Sequence, residues 1–208
     1  AGGALNFLVK LLWPQDTLRP EPPPHDVFAQ IDRAAAESPP GANGVIFTPW
    51  LNGERTPVDA PSLRGGFHNL SYGSTAGDLA RATLEGVALN TRWSFKYVER
   101  FTGRRMEALN IIGGGGQSDF WCQIFADVFN REIRQVEDPM QANARGAALI
   151  AGVALGKIKF DDVPELVKVK KVYRPDPALR KLYDDRFDDF ITLYKRNRRL
   201  YRKLNPGG

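Results

Sequence analysis

The middle of the chain carries its longest run of helical periodicity. Apolar or small residues recur at steps of three or four from Leu79 to Val98, which is typical of a helix that packs one face against a core. Additional apolar positions widen that face, so this helix is predicted to be central and largely buried. Ser74 or Thr75 is expected to begin it, and Gly103 to end it in a left-handed conformation.

Shorter patterns on either side of this helix predict an alternation of helices and strands. A loop-like segment at 49–73 and a proline-rich break at 19–24 interrupt them. Such alternation indicates the α/β class, with a sheet covered by helices. The predicted helices are 4–13, 26–37 (with Asp26 as N-cap), 119–129, 142–155 and a final helix at 177–204; the predicted strands are 45–48, 108–112, 132–136 and a lysine-bearing edge strand at 167–172.

Composition excludes several classes of protein. The chain has 208 residues, and 42% of them are hydrophobic. This is enough apolar material to form a core, which excludes a wholly disordered chain. The single cysteine, Cys122, rules out an intrachain disulfide and a zinc site of several thiols, and two histidines make a histidine-rich metal site untenable. No apolar run approaches the roughly 20 residues of a membrane span, and no signal peptide opens the chain. A cytoplasmic protein is the expectation.

The positive charge is local rather than global. The formal net charge is +5, and most of the excess lies in the basic segment 195–203. Only Tyr201 is interleaved there for stacking on bases, and cations are favourable at a helix C-terminus in any case. Nucleic acid is therefore not an expected partner.

The strongest candidate for chemistry is a strand–glycine–helix unit at 108–128. Gly113–Gly116 follow a predicted strand, and Ser118 caps the next helix. Glycines let a backbone approach a ligand closely, and a helix N-terminus directs free N–H groups at it, an arrangement that nucleotides exploit. The spacing is neither that of a Rossmann motif nor that of a P-loop. An ordinary flexible turn with an ordinary cap is an equal alternative on these residues alone.

The other candidate residues and segments have plain structural explanations. The small-residue stretch 141–148 could pack against a planar ligand, but the preferred interpretation is a tightly packed core helix. The GERTP segment at 53–57 lies in a long loop, where a surface pair, Glu54–Arg55 or Asp59–Arg64, would explain its charges. Cys122 lies between aromatic residues and is expected to be a buried, inert thiol. His68 has no visible Ser or Cys partner, so no catalytic triad is inferred.

Several segments in order resemble the C-terminal half of carbohydrate kinases of the FGGY family, in the xylulokinase-like branch. FTPWLNGERTP at 47–57, RGGF at 64–67 and DLARATLEG at 78–86 resemble three of its motifs, although Asn69 stands where the family usually has glycine. GGGGQS at 113–118 resembles the adenosine motif, and ARGAA at 144–148 the element that closes the nucleotide site. The resemblance extends from about residue 44 to 177.

The resemblance implies an actin-like ATPase (ribonuclease H-like) fold with a mixed sheet, and residues 1–208 as its C-terminal, nucleotide-binding domain. Members bind ATP and a sugar in a cleft between two domains and phosphorylate a sugar or polyol hydroxyl with MgATP. The adenosine pocket is implied to involve Gly113, Gly114, Gly115, Gly116, Ser118, Gln141, Asn143 and Gly146.

The resemblance assigns neither a catalytic residue nor a metal ligand to this chain. The family's general base, phosphate loop and Mg²⁺-holding Asp belong to segments that precede the matched part. The opening Ala-Gly-Gly-Ala without Met favours a fragment, expected to be inactive alone and to require the N-terminal kinase domain. The alternative is a free-standing actin-like domain for nucleotide binding or protein interaction. Aromatic residues of the first and last helices could cover the other domain, a second copy in a homodimer, or the chain's own core.

Overall fold

The computed structural model describes residues 2–12 and 25–207. The predicted proline-rich break at 19–24 and the last residue of the first predicted helix lie outside these ranges. The helices are α1 (Gly2–Leu12), α2 (Val27–Ala36), α3 (Ala76–Thr102), α4 (Asp119–Phe129), α5 (Ala142–Ala154), α6 (Val163–Leu166) and α7 (Arg180–Leu204). The strands are β1 (Ile46–Thr48), β2 (Gly66–His68), β3 (Ala108–Ile111), β4 (Glu132–Val136) and β5 (Val169–Tyr173).

The strands form two separate sheets. β1 and β2 pair antiparallel, so a short strand exists inside the segment predicted to be a loop. In the second sheet β3 and β4 run parallel and β5 pairs antiparallel with β4 at the edge. The prediction of an α/β chain with a mixed sheet and a lysine-bearing edge strand is confirmed.

The long helix α3 is the centre of the molecule, as its periodicity predicts. Thr75 caps it: its side chain accepts a hydrogen bond from the N–H of Asp78, whose carboxylate accepts one from the N–H of Thr75. Gly103 ends the helix with φ 64°, in the left-handed region that favours glycine. The buried residues of α3 contribute to a core shared with α1, α2, β1, α4 and α7.

The close approach of α3 to β1 depends on Gly86. A Cβ on Gly86 would lie 2.2 Å from the carbonyl oxygen of Phe47, a backbone atom that cannot rotate away. Phe47 is itself fully buried and packs on Phe67, with ring centroids 4.8 Å apart. The glycine of the DLARATLEG segment is therefore a packing requirement between a helix and a strand.

The backbone conformation of Asn69 explains why asparagine can stand where the FGGY family usually has glycine. Its φ of 62° lies in the left-handed region, where glycine is preferred and Asn is the most readily tolerated alternative. Its side-chain amide also donates to the carbonyl of Gly44 at 3.1 Å. The position therefore keeps the backbone conformation that glycine would give.

The last helix packs into the chain's own core. Tyr183, Phe187 and Phe190 are buried, and the Phe190 ring meets Trp50 edge-on at 5.1 Å between centroids. Of the three partners considered for the apolar face of this helix, the core of the same chain is thus the one observed.

The interpretation of the 142–155 segment as a core helix is wrong. α5 forms where its composition predicts, but none of its residues is buried. Ile150 is 65% exposed and Leu155 73% exposed. The helix packs mainly against the short 3₁₀ turn before it, at Pro139–Gln141. Its small residues therefore do not serve internal packing in this chain.

The expected N-cap of α2 is wrong. Asp26 precedes α2, but its side chain does not cap the helix; it accepts hydrogen bonds from Gln30 and Arg33 instead. Among the described helices, none combines the length and apolar character that a bilayer crossing requires.

Gly86→Ala should destabilise the chain by about 1–3 kcal/mol, because the new methyl group forces α3 away from β1. Gly146→Ala is a matched control: it lies inside α5, and its added Cβ meets nothing within 4 Å. That change should stabilise by roughly 0.5–1 kcal/mol through helix propensity. Urea denaturation monitored by far-UV circular dichroism measures both. A Gly86→Ala chain as stable as the parent would contradict the close contact.

Candidate functional site

A cavity of about 650 Å³ opens beside the glycine turn. α1 and α2 form one wall, and the end of β3 with the turn after it forms the opposite wall. Trp121 and Phe125 of α4 close the back, and Met140 lies at the rim. This volume is within the range of pockets that hold a drug-sized ligand.

The turn between β3 and α4 presents its backbone to this cavity. Gly113 has φ 77°, which a side chain would strain, and its N–H donates to the carbonyl of Pro139 at 2.8 Å. Residues Gly114–Gln117 then form a 3₁₀ turn. A Cβ on Gly114 would have only the Met140 sulfur nearby, at 3.9 Å, so the space in front of Gly114 is open.

Ser118 begins α4 as predicted. Its hydroxyl oxygen accepts a hydrogen bond from the N–H of Trp121 at 2.9 Å, while its hydroxyl proton remains free to donate to another group. Trp121 is anchored in turn, because its indole N–H donates to the carbonyl of Leu84 in α3 at 3.0 Å. The N-terminus of α4 therefore borders the cavity in a fixed position.

The predicted site residues separate into two groups. Gly113, Gly114, Gly115 and Ser118 all line the cavity. Gly116 lies behind the turn, where its carbonyl accepts a hydrogen bond from Gln135 at 2.8 Å. Gln141, Asn143 and Gly146 are not among the residues that line this cavity, although the preceding Met140 is. Their participation in a nucleotide site stays a prediction.

The wall formed by α1 and α2 was missed by sequence reasoning. Leu5, Phe28 and Ile31 supply its apolar surface, and among the described residues Asp32 is the one ionisable side chain that lines the cavity. Burial raises the pKa of Asp32, and a hydrogen bond from the Ser118 hydroxyl partly opposes that rise. A signal was present: Asp32 follows Phe28 by four residues, which places a carboxylate on the apolar face of a helix.

Other reactive groups have structural roles. Cys122 is fully buried, and burial raises the pKa of its thiol to about 12, so it is an inert thiol as expected. Asp119 at the start of α4 accepts a hydrogen bond from Lys171, which together with Tyr173 lowers the pKa of that carboxyl. Within 2–12 and 25–207, no cluster of three or more His, Cys, Asp or Glu side chains could hold a metal ion.

The loop with the GERTP segment is organised by Glu54 rather than by a surface ion pair. Its carboxylate accepts hydrogen bonds from the N–H groups of Arg55 and Thr56, at 2.8 and 3.0 Å. The other carboxylate oxygen accepts one from the Asn90 amide at 2.7 Å, which ties the loop to α3. Among the described residues, neither the Glu54–Arg55 nor the Asp59–Arg64 ion pair forms; Arg64 donates to the carbonyls of Pro61 and Leu63.

Comparison with known families gives a match across most of the chain. Residues 1–155 match the model of the C-terminal domain of the FGGY family of carbohydrate kinases. A xylulose kinase of Staphylococcus epidermidis is 34% identical over 202 residues. A gluconokinase of Bacillus licheniformis is 32% identical over 171 residues. The chain spans 38% of the length of that xylulose kinase and 33% of that gluconokinase, with 96% and 82% of its own residues matched.

Solved structures agree with this match. The ligand-bound xylulose kinase of Lactobacillus acidophilus superposes with a TM-score of 0.84 at 26% identity. The xylulose kinase of Rhodospirillum rubrum superposes with a TM-score of 0.78 at 33% identity. These superpositions include 98% and 97% of this chain, and 39% of each relative. The actin-like fold expected from the sequence is confirmed.

Ser118→Ala should lower the free energy of unfolding by about 1 kcal/mol, because the N–H of Trp121 loses its cap. Thermal and urea denaturation of the purified chain measure the loss. Ser62→Ala is the matched control, since the Ser62 side chain makes no hydrogen bond within the described part of the chain. Equal stability of the two variants would show that the cap contributes nothing.

Proposed function

Because the chain belongs to the FGGY family of carbohydrate kinases, we propose that it is the ATP-binding part of an enzyme that phosphorylates a ketose or polyol with MgATP. The names of its relatives support xylulose as the first substrate to test, with gluconate as the second. The activity itself would belong to a protein of which this chain is about two fifths, if the parent has the length of its relatives.

The observation that carries this proposal is the cavity beside Gly113–Gly115. One side is exposed glycine backbone, the opposite side is apolar, and a helix N-terminus borders it. A nucleotide needs these three features: an apolar slot for the flat base, close backbone for the sugar, and N–H groups for a phosphate. These features of the glycine turn and Ser118 support ADP or ATP as the ligand.

The role of each residue follows from that geometry. Gly114 and Gly115 would lie against the adenosine and the α-phosphate side, because a side chain at Gly114 would project into open cavity. Ser118 would hydrogen-bond the nucleotide through its hydroxyl, which keeps an acceptor lone pair after it accepts from Trp121. Gln141, Asn143 and Gly146 would reach the nucleotide only after a movement of the segment that starts at Met140.

The remaining chemistry is proposed to come from the rest of the parent enzyme. Phosphoryl transfer needs an acceptor hydroxyl in line with the γ-phosphate, a group that takes its proton, and Mg²⁺ to neutralise charge. The FGGY resemblance places the general base and the main Mg²⁺ ligands outside the matched segment. This chain would hold the adenosine end of MgATP and align it toward the cleft.

The exposed face of α5 supports the proposal that another part of the enzyme packs against this chain. Ile150 and Leu155 stay largely in solvent, and Met140, in the turn before the helix, is 57% exposed. Exposed large apolar side chains on one element are typical of an interaction site when they join into a patch. β3 also keeps one edge unpaired within the described sheet. We propose that the N-terminal part of the kinase covers this face, and a homodimer is the competing arrangement.

Gly114→Val should abolish adenine-nucleotide binding without unfolding the chain, because the valine would enter the cavity and only the flexible Met140 side chain is near. Titration calorimetry with ADP measures binding, and the melting temperature reports folding. Gly73→Val is the matched control, because Gly73 is exposed and away from the cavity, and an added Cβ there would meet only the Ser71 hydroxyl, at 3.7 Å. A Gly114→Val chain that binds ADP with unchanged affinity would contradict the site, and equal affinity for ADP and pyrophosphate would show a phosphate site instead.

This chain alone should phosphorylate no sugar, even with saturating MgATP. Loss of a general base typically costs about 10²–10⁴ in rate, and loss of substrate alignment a further 7–11 kcal/mol or so. A coupled assay of ADP release with xylulose, gluconate and glycerol measures turnover. Sugar-dependent turnover that persists after repurification would contradict the proposal that the general base and the main Mg²⁺ ligands lie in the rest of the parent enzyme.

A chimera supplies the complementary test. Exchange of this chain for the matched 202-residue segment of the Staphylococcus epidermidis xylulose kinase should give xylulose-dependent ADP release. The same chimera with Gly114→Val should be inactive. A folded chimera that binds ADP but phosphorylates none of the three substrates would favour the alternative, a domain for nucleotide binding or protein interaction alone.

A further inference from the structure

We propose that Asp32 selects the nucleobase: its carboxylate accepts a hydrogen bond from the exocyclic amine of adenine and rejects 6-oxopurines. The inference rests on the proposed nucleotide site and deepens it, because it names the residue that makes the site selective for adenine. Nothing in the glycine turn itself can make this distinction, since backbone approach is indifferent to the base.

The position of Asp32 on α2 is the first observation. Phe28, Ile31 and Asp32 are spaced i, i+3 and i+4, so they share the face of α2 that lines the cavity. The other polar residues of this helix turn away: Gln30 and Arg33 both donate to the Asp26 carboxylate, at 2.8 and 2.9 Å. Asp32 is thus the one carboxylate that α2 presents to the cavity.

The surroundings of Asp32 leave lone pairs of its carboxylate available to accept a hydrogen bond from a ligand. Within residues 2–12 and 25–207, no Lys or Arg forms an ion pair with it. Ser118 lines the same cavity, and its hydroxyl acts on Asp32 as a donor that lowers the pKa of the carboxyl. A carboxylate has about four lone-pair sites, so one hydroxyl leaves room for a second donor. Burial raises the pKa of Asp32, which marks an environment where an additional donor is worth more than in water.

Electrostatics orients a nucleotide in this cavity. The phosphates carry negative charge and are repelled by the Asp32 carboxylate, so the phosphate end points away from α2. The base end then meets Asp32, flanked by the apolar side chains of Phe28 and Ile31 on the same helix face. The flat faces of the base contact those apolar groups, and its polar edge faces the carboxylate.

The chemistry of the purine edge decides the selectivity. An ionised carboxylate only accepts hydrogen bonds, and both the Ser118 hydroxyl and an amine donor favour the ionised form. Adenine donates from its 6-amino group. Hypoxanthine has an oxygen there, which would place two acceptors against each other and leave a buried charge without its partner.

The experiment measures ADP and IDP affinities for the full chain by titration calorimetry. The parent chain should bind ADP roughly tenfold to a hundredfold more tightly than IDP, the value of one charge-assisted hydrogen bond. Asp32→Asn should reduce that preference to below about threefold, because an amide can donate to the 6-oxo group as well as accept. Asp188→Asn, the same change on the exposed face of α7, should leave the preference unchanged.

A second variant keeps the test independent of folding. Asp32→Ala removes the acceptor without adding a donor, and should weaken ADP binding while affecting IDP little. The ADP-to-IDP ratio is measured within each variant, so a general loss of stability cannot imitate the expected change. Circular dichroism confirms that each variant is folded.

Three results would overturn the proposal. If ADP binds the parent chain and the ADP-to-IDP ratio is the same in Asp32→Asn, the nucleotide site stands and Asp32 does not select the base. If 2′-deoxyADP binds more weakly than ADP only in chains that retain Asp32, the carboxylate holds the ribose instead. If the parent chain binds no ADP, or binds GDP more tightly than ADP, the proposed ATP site fails together with this inference.

Discussion

A buried ion pair in the core links three parts of the fold. Arg81 donates to Glu85 at 2.8 Å, one turn apart on α3, and both side chains are almost fully buried. Two charges in a core are costly unless every remaining donor and acceptor is satisfied. Glu85 also accepts from the Tyr183 hydroxyl of α7 and from the N–H of Gly41, so the pair joins α3, α7 and the turn after α2. Burial raises the pKa of Glu85, and these donors oppose it.

Both walls of the cavity take their position from this long helix. Arg81 donates to the carbonyl of Ser38, and the Ser38 hydroxyl donates to Asp78, which fastens the end of α2 to α3. On the other side, Trp121 fastens α4 to the carbonyl of Leu84. The gap between α2 and the glycine turn is therefore a consequence of where two helices attach to a third. The position of the proposed nucleotide site therefore follows from the packing of α2 and α4 on α3.

Local signals in the sequence predicted the parts of this architecture that depend on neighbours along the chain. The periodicity and capping residues of α3 predicted its bounds within about a residue, and Gly113–Ser118 predicted a turn that exposes backbone. Two local signals misled. Small residues at 142–155 suggested a packed helix, but small residues permit close packing without requiring it, and α5 is exposed. Asp26 looks like a cap, yet its carboxylate binds side chains of its own helix.

The sequence by itself determined most of the secondary structure, the family and the glycine turn, because each rests on residue types within a few positions of one another. Only the tertiary structure decided which surfaces face the turn. The carboxylate of Asp32 and the hydroxyl of Ser118 are brought to one cavity by the attachment of α2 and α4 to α3. Eighty-six positions separate these two residues (118 − 32). No local pattern encodes such a meeting, since it depends on how buried side chains pack between distant helices.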